Sequence, residues 1–329
     1  MSAYHRLRRQ RAERAPSAAR RILAAPAIAL LAALALAAPA AAGIPSVYTG
    51  AATNVSYASA TVTGALNPNG SNTSYYFQYG QTNRYGGQSA IANAGAGIHT
   101  FDVSLALSGL QPLTVYHYRL VTVNGAGPAI GFDRTFITTK VPLSLAILAA
   151  PDPIAYGSSI VVQGTLSGTE NGGREVVLQA NAFPFTSGFQ NLGNPELTTA
   201  TGGFSFPVLG LTTVTQFRVA TTTKPAIVSP VAVAAVAVRV ASHVARTHRP
   251  HRARIFGTVS PAEDGMQIAI LRITHGRGVL VGGTVLRHLD ATSSSFSRVV
   301  PVRAGIYRVL VRVTNGAQVS SYGQPLAIR

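Results

Sequence analysis

The chain has 329 residues, enough for two or three domains of ordinary size. It contains no cysteine and no tryptophan, which excludes disulfides, thiolate metal sites and cysteine nucleophiles. Apolar residues make up 47% and charged residues only 11%, yet the net charge is +17. That balance suits β-rich domains with real cores and few charges, most of them basic.

The chain opens with seven arginines in residues 1–21, against the single acid Glu13. The uncharged stretch ILAAPAIALLAALALAAPAAAG follows at 22–43. A basic start, an apolar middle and a small-residue exit predict a secretory signal peptide over residues 1–42, cut after Ala42. Retention as a membrane anchor is the alternative, because the apolar run is long enough to span. Arg20-Arg21 leaves the twin-arginine route open beside the general one.

Three stretches then repeat one plan: ATVTGALNP (60–68), IVVQGTLSG (160–168) and ARIFGTVSP (253–261). Each alternates around a central glycine, and Gly64, Gly164 and Gly257 are 100 and 93 residues apart. A second strand follows in each copy, as YYFQY (75–79), VVLQ (176–179) and IAIL (268–271). A later one reads YRL, FRV and YRV, placing Arg119, Arg218 and Arg308 at separations of 99 and 90. The segments between carry turn chemistry such as NPNG, ENGG and AEDG, with no amphipathic helix. This period and these short alternating strands predict an all-β chain of three tandem β-sandwiches, at 43–140, 141–240 and 241–329. The basic surplus sits in the last of them, where 12 basic residues meet 3 acidic ones, net +9.

In the first repeat, Leu110, Pro112, Thr114, Tyr116, Tyr118, Leu120, Thr122, Asn124 and Gly127 fall in an alternating run. This run resembles strand F of a fibronectin type III domain, with its leucine–proline–threonine–tyrosine corner. Residues 67–86 and 131–139 look like the variant common in secreted actinobacterial proteins. The resemblance implies a structural corner at Leu110, Pro112 and Tyr116, with the tyrosine hydroxyl bonded to nearby backbone. It also implies a core built on Tyr75, Phe77, Tyr79, Tyr116 and Tyr118, since Gly64 stands where the family has a tryptophan. Alternation places Tyr116, Tyr118 and Leu120 inside, and His117, Arg119 and Val121 outside. The second and third repeats lack the corner sequence and are similar to bacterial immunoglobulin-like modules.

Catalytic motifs are missing. There is no GxxxxGK[ST], HExxH, G-x-S-x-G or EF-hand calcium loop, and GAGPAIG (125–131) fails the dinucleotide spacing. Nine carboxylates follow residue 43, and none forms a recognisable pair. The expectation is a non-enzymatic protein without a cofactor or metal. Sequons at Asn54, Asn69 and Asn72 carry meaning only in a glycosylating host.

One stretch invites a ligand. HVARTHRPHRAR (243–254) groups Arg246, Arg249, Arg252 and Arg254 with His243, His248 and His251. Such a strip attracts polyanions: anionic cell-wall polymer, acidic polysaccharide or lipid headgroups. It lacks aromatic residues for base stacking, so specific nucleic-acid recognition is not expected. Its histidines, five and three residues apart on an extended segment, do not converge on one metal ion. The plain alternative is a solvated linker and first strand. The whole reads as an exported spacer or adhesion protein, with another surface protein or a wall polymer as partner. Membrane contact would come only through an uncleaved signal. An accessory carbohydrate-binding role would need exposed tyrosines such as Tyr85 or Tyr322.

Overall fold

Alternation is carried out almost residue by residue. In Ser59–Asn67 every second side chain is buried, as expected of a strand with one face on a core and one toward water. The computed structural model describes residues 43–329, and the expected signal segment lies outside the described residues. Within them all regular structure is β, arranged as three tandem β-sandwiches.

Each sandwich uses the same strand order. In the first, Ser46–Thr49, Ser59–Asn67 and Phe101–Ser108 form one sheet. The facing sheet is centred on Thr73–Gly80 paired with Val115–Asn124. The second repeats this with Ser144–Ala150, Ser158–Ser167 and Gly203–Leu211 against Glu175–Ala182 and Thr215–Thr221. The third sets Arg239–Arg246, Arg252–Ser260 and Ser293–Pro301 against Gln267–Thr274 and Gly305–Arg312. Its first strand starts at Arg239, ahead of residue 241. These pairings are antiparallel; a short parallel ladder joins Ile154–Ala155 to Val236–Ala237. Two antiparallel sheets in this order are the immunoglobulin and fibronectin type III arrangement.

Each sandwich has its own core. Val62 and Leu66 meet Phe77, Tyr118 and Leu120 in the first. Val162, Leu166 and Phe204 meet Leu178, Phe217 and Val219 in the second. Ile255, Phe296 and Val300 meet Ile270, Tyr307 and Val309 in the third. Tyr75 and Tyr79 only flank the first core, half-buried. Val121, expected outside, is 3% exposed. It lies directly opposite Tyr76 on one side and Ile130 on the other, and these cross-strand neighbours cover it.

The repeated glycines have a steric cause. A Cβ on Gly257 would stand 1.9 Å from the Ala241 carbonyl oxygen and 2.9 Å from the Phe296 ring. On Gly164 it would stand 2.1 Å from the Ala146 oxygen and 2.7 Å from the Phe204 ring. On Gly64 it would meet Leu120 at 2.7 Å and the Tyr48 oxygen at 2.9 Å. The first strand of each sandwich thus presses on the second at a point where a side chain does not fit.

Tyrosine hydroxyls lock two of the sandwiches. Tyr116 Oη accepts a hydrogen bond from Gln111 N at 3.0 Å, and its ring stacks on Phe136. Tyr118 Oη donates to Gly50 O at 2.7 Å, tying the first strand region to the opposite sheet. The third repeat lacks the corner sequence but has an equivalent lock. Tyr307 Oη accepts from Arg303 N at 2.9 Å and donates to Arg303 O at 3.0 Å.

Residues 315–319 connect the third sandwich to the second. Val214 N donates to Ala317 O at 2.7 Å, Gln318 Nε2 to Thr212 O at 3.0 Å and Val319 N to Val236 O at 2.7 Å. Gly316, at φ +80°, sits where a Cβ would be 2.8 Å from the Phe183 ring. Asn315 Nδ2 donates to both carboxylate oxygens of Glu263, at 2.9 and 3.0 Å. Burial pushes the Glu263 carboxyl above its ordinary range, and the Asn315 bond only partly opposes this. A carboxyl raised on folding contributes stability that is full below its ordinary pKa and is lost as pH rises through the folded value. Urea melts should therefore show the third sandwich weakening from mildly acid to neutral pH. Glu263→Gln should flatten that slope and melt higher at neutral pH; an unchanged slope would contradict the assignment.

Candidate functional site

The recurring arginines are structural. Arg119, Arg218 and Arg308 are half-buried on the outer face of the same strand in each sandwich. Each guanidinium lies over an aromatic ring: Tyr85 at 4.4 Å, Phe189 at 4.2 Å and Tyr322 at 4.7 Å. Arg119 Nε donates to Gln78 at 2.8 Å and Arg218 Nε to Gln179 at 2.7 Å, each glutamine being the residue directly opposite. In the third sandwich Leu271 takes the glutamine's place, and Arg308 turns to Gly323 O at 3.3 Å.

His117 is not a lone ring. Its Nδ1 lies 2.8 Å from Asp133 Oδ2, while Tyr85 Oη donates to Asp133 Oδ1 at 2.9 Å. Burial and the Asp133 bond raise the Tyr85 phenol. With Arg119 stacked above Tyr85, these side chains form one linked polar patch on the sheet face, partly open to solvent. Tyr85 is only 9% exposed, so it offers no platform for a sugar; Tyr322 is 48% exposed, with Arg308 over one face of its ring.

The basic strip takes a definite shape. Arg239–Arg246 and Arg252–Ser260 form a hairpin with residues 247–251 at its tip. Thr247 Oγ1 lies within hydrogen-bond distance of both Arg249 O and Arg252 O, at 3.1 and 2.9 Å. Val302 N donates to His251 O at 2.8 Å, which brings the 301–304 loop beside the tip. Gly305–Tyr307 in turn pairs with Leu326–Ile328, which brings the last residues to the same end.

Together these segments surround an open basin of about 660 Å³. Arg246, Arg249, Arg252, Arg303 and Arg329 line it, with His251, and no aspartate or glutamate side chain does. Arg254 stands apart from its three expected companions. It shares the outward face with Arg252, but two residues of strand carry it about 6.6 Å further along. There its guanidinium lies 4.6 Å over Phe256, whose ring also has His243 at 5.7 Å. Arg254, His243 and Arg287 line a separate hollow of about 450 Å³. Arg303 and Arg329 were not legible as site residues, since only strand order brings them to the hairpin tip. Arginines grouped in one lining without interleaved aspartate or glutamate side chains make a positive field that an extended anion would neutralise.

No family model matches the chain, and no curated protein matches it. Among solved structures it is similar to the chicken CNTN1 FN1–FN3 domains, at 14% identity and TM-score 0.27, over 86% of this chain and 97% of that one. It is similar to a tetra-tandem repeat from the extending region of a large adhesion protein, at 15% identity and TM-score 0.28, over 87% and 74%. It is also similar to a run of titin domains, at 12% identity and TM-score 0.35, over 86% and 98%. The strand order described above establishes the chain as three tandem sandwiches of the fibronectin type III and immunoglobulin kind.

Proposed function

We propose that the protein is an exported, non-enzymatic modular spacer that holds an anionic polymer of the cell envelope at the hairpin-tip end of its third sandwich. One observation carries this reading: five arginines from three separate segments surround one basin without an acidic side chain among them. The sandwiches themselves supply reach and a rigid mount for loops, as such scaffolds do. Arginine pairs well with phosphate and carboxylate oxygens, and the open shape of the basin suits a chain passing through it. Anionic wall polymer or acidic polysaccharide fits this chemistry. Export rests on the basic and apolar pattern of residues 1–42.

The test is salt elution from immobilised polyphosphate. Wild type should be retained and released by salt, as electrostatic binding requires. Combining Arg246→Ser, Arg249→Ser and Arg252→Ser should lower the dependence of log affinity on log salt by about 0.7–0.9 for each arginine that contacts the polymer. Arg254→Ser, outside the basin, should leave elution near wild type. Co-elution of the triple variant with wild type would end this reading. Export is checked separately by sequencing the mature N-terminus, which should begin near Gly43 in protein recovered from the medium.

A further inference from the structure

The three sandwiches differ most at one place. In the first two, the edge beside the central strand is broken into two short pieces, Gly87–Gln88 with Ala92–Gly95 and Gln190–Asn191 with Glu196–Leu197. In the third it is the nine-residue strand Arg277–Val285, joined to Gln267–Thr274 by a tight turn. That turn is built by His275 and Gly276, both at positive φ, 48° and 75°. A pair of left-handed residues is what a two-residue hairpin needs to match the twist of its strands.

The longer strand walls a cavity of about 680 Å³ that has no counterpart of this composition in the other hollows described above. Val279 and Val281 form its apolar side, and Val279 is 53% exposed. Arg272, Arg303 and His251 supply its basic groups, again without an acidic side chain in the lining. Arg272 is pinned in place: its Nη2 donates to Ala304 O at 2.9 Å. Its Nε is buried and has no hydrogen-bond partner among the described residues. The 301–304 loop that carries Arg303 is itself fixed by the two hydrogen bonds between the Arg303 backbone and Tyr307 Oη.

A fixed guanidinium with no carboxylate beside it favours an anion. Exposed valines next to it favour an aliphatic group. We propose that this cavity binds a phosphate monoester with an aliphatic substituent, the phosphate held by Arg272 and Arg303 and the substituent lying along Val279 and Val281. The site abuts the basin, sharing His251 and Arg303, but its ligand is a small amphiphile. The inference therefore holds whether or not the basin holds a polymer.

Titration calorimetry of the full chain with hexyl phosphate, inorganic phosphate and hexanol tests it. Hexyl phosphate should bind more tightly than inorganic phosphate, by about fourfold for each methylene that reaches the valines. Hexanol should show no measurable heat. Val279→Asp alters an exposed position, so its melt should match wild type, while hexyl phosphate binding falls by about tenfold or more. Arg272→Met should weaken binding similarly. The combined serine variant at Arg246, Arg249 and Arg252 should bind hexyl phosphate as wild type does. Co-sedimentation with phosphatidylcholine vesicles carrying phosphatidic acid distinguishes sources: pelleting indicates a lipid headgroup, and binding of the free ester alone indicates a soluble one. Equal affinity for hexyl and inorganic phosphate, or a Val279→Asp protein that binds like wild type, would overturn the proposal. Failure of the polymer reading shows separately, on the polyphosphate column with the serine variant.

Discussion

Replacing Gly257 by alanine should destabilise the third sandwich by about 3 kcal/mol, as overpacking of a rigid site does. The new methyl would stand 1.9 Å from the carbonyl oxygen of Ala241, in the neighbouring strand. A backbone oxygen cannot rotate away as a side-chain tip can. The strand must shift, and its ladder with Arg252–Ser260 shifts with it. Gly164→Ala should act alike in the second sandwich, where the contact is 2.1 Å. Gly64→Ala should cost less, because its nearest neighbour at 2.7 Å is a leucine methyl. Gly97 provides the control: nothing lies within 4 Å of its would-be Cβ. Alanine there should stay within about 0.5 kcal/mol of wild type. Urea denaturation followed by circular dichroism gives the ranking, and equal costs at Gly257 and Gly97 would refute it.

Tyr307→Phe should cost about 1–3 kcal/mol and weaken both anion sites together. The ring is 1% exposed and phenylalanine preserves it, so the change isolates the hydroxyl. That hydroxyl serves both the N–H and the carbonyl of Arg303. Without it the 301–304 loop loses its clamp, and Arg303 leaves its place between basin and cavity. Salt elution from polyphosphate should shift to lower salt, and hexyl phosphate should bind less tightly. Tyr116→Phe is the matched control, because its hydroxyl accepts one bond from Gln111 N, far from any arginine of the basin. It should lower the melt of the first sandwich without touching anion binding. A Tyr307→Phe protein with wild-type melt and wild-type elution would remove the clamp from the account.

The fold was legible because its determinants are local or periodic. Gly64, Gly164 and Gly257 mark a strand pressed by its neighbour, and Arg119, Arg218 and Arg308 mark one outer-face position; both sets keep nearly the same spacing. The partners of those arginines were not legible. Tyr85 and Phe189 come from the connection after the central strand, well before their arginines, whereas Tyr322 comes from a later segment, after its arginine, so no common spacing marks them. Alternation correctly separated Tyr116 and Tyr118 from His117 and Arg119. It misplaced Val121, because two-face alternation ignores what cross-strand neighbours cover. The basic strip was visible as charge, but its division was not. Arg254 leaves the group for the Phe256 ring, while Arg303 and Arg329 join from remote segments. Distance along the chain says nothing about that exchange; strand order decides it.

The loop at 315–319 has a mechanical consequence. The second and third sandwiches are linked twice, once through the chain at Val238 and once through the bonds of Val214, Thr212 and Val236 to that loop. Two attachments side by side resist bending and twisting in a way one tether cannot. At the first junction the side-chain link is the exposed pair of Lys140 and Glu170, at 2.8 Å, which salt screens. Under load the chain should therefore yield first between the first and second sandwiches. The pair that follows would then turn as one lever, with the basic hairpin tip held at a set angle to the second sandwich.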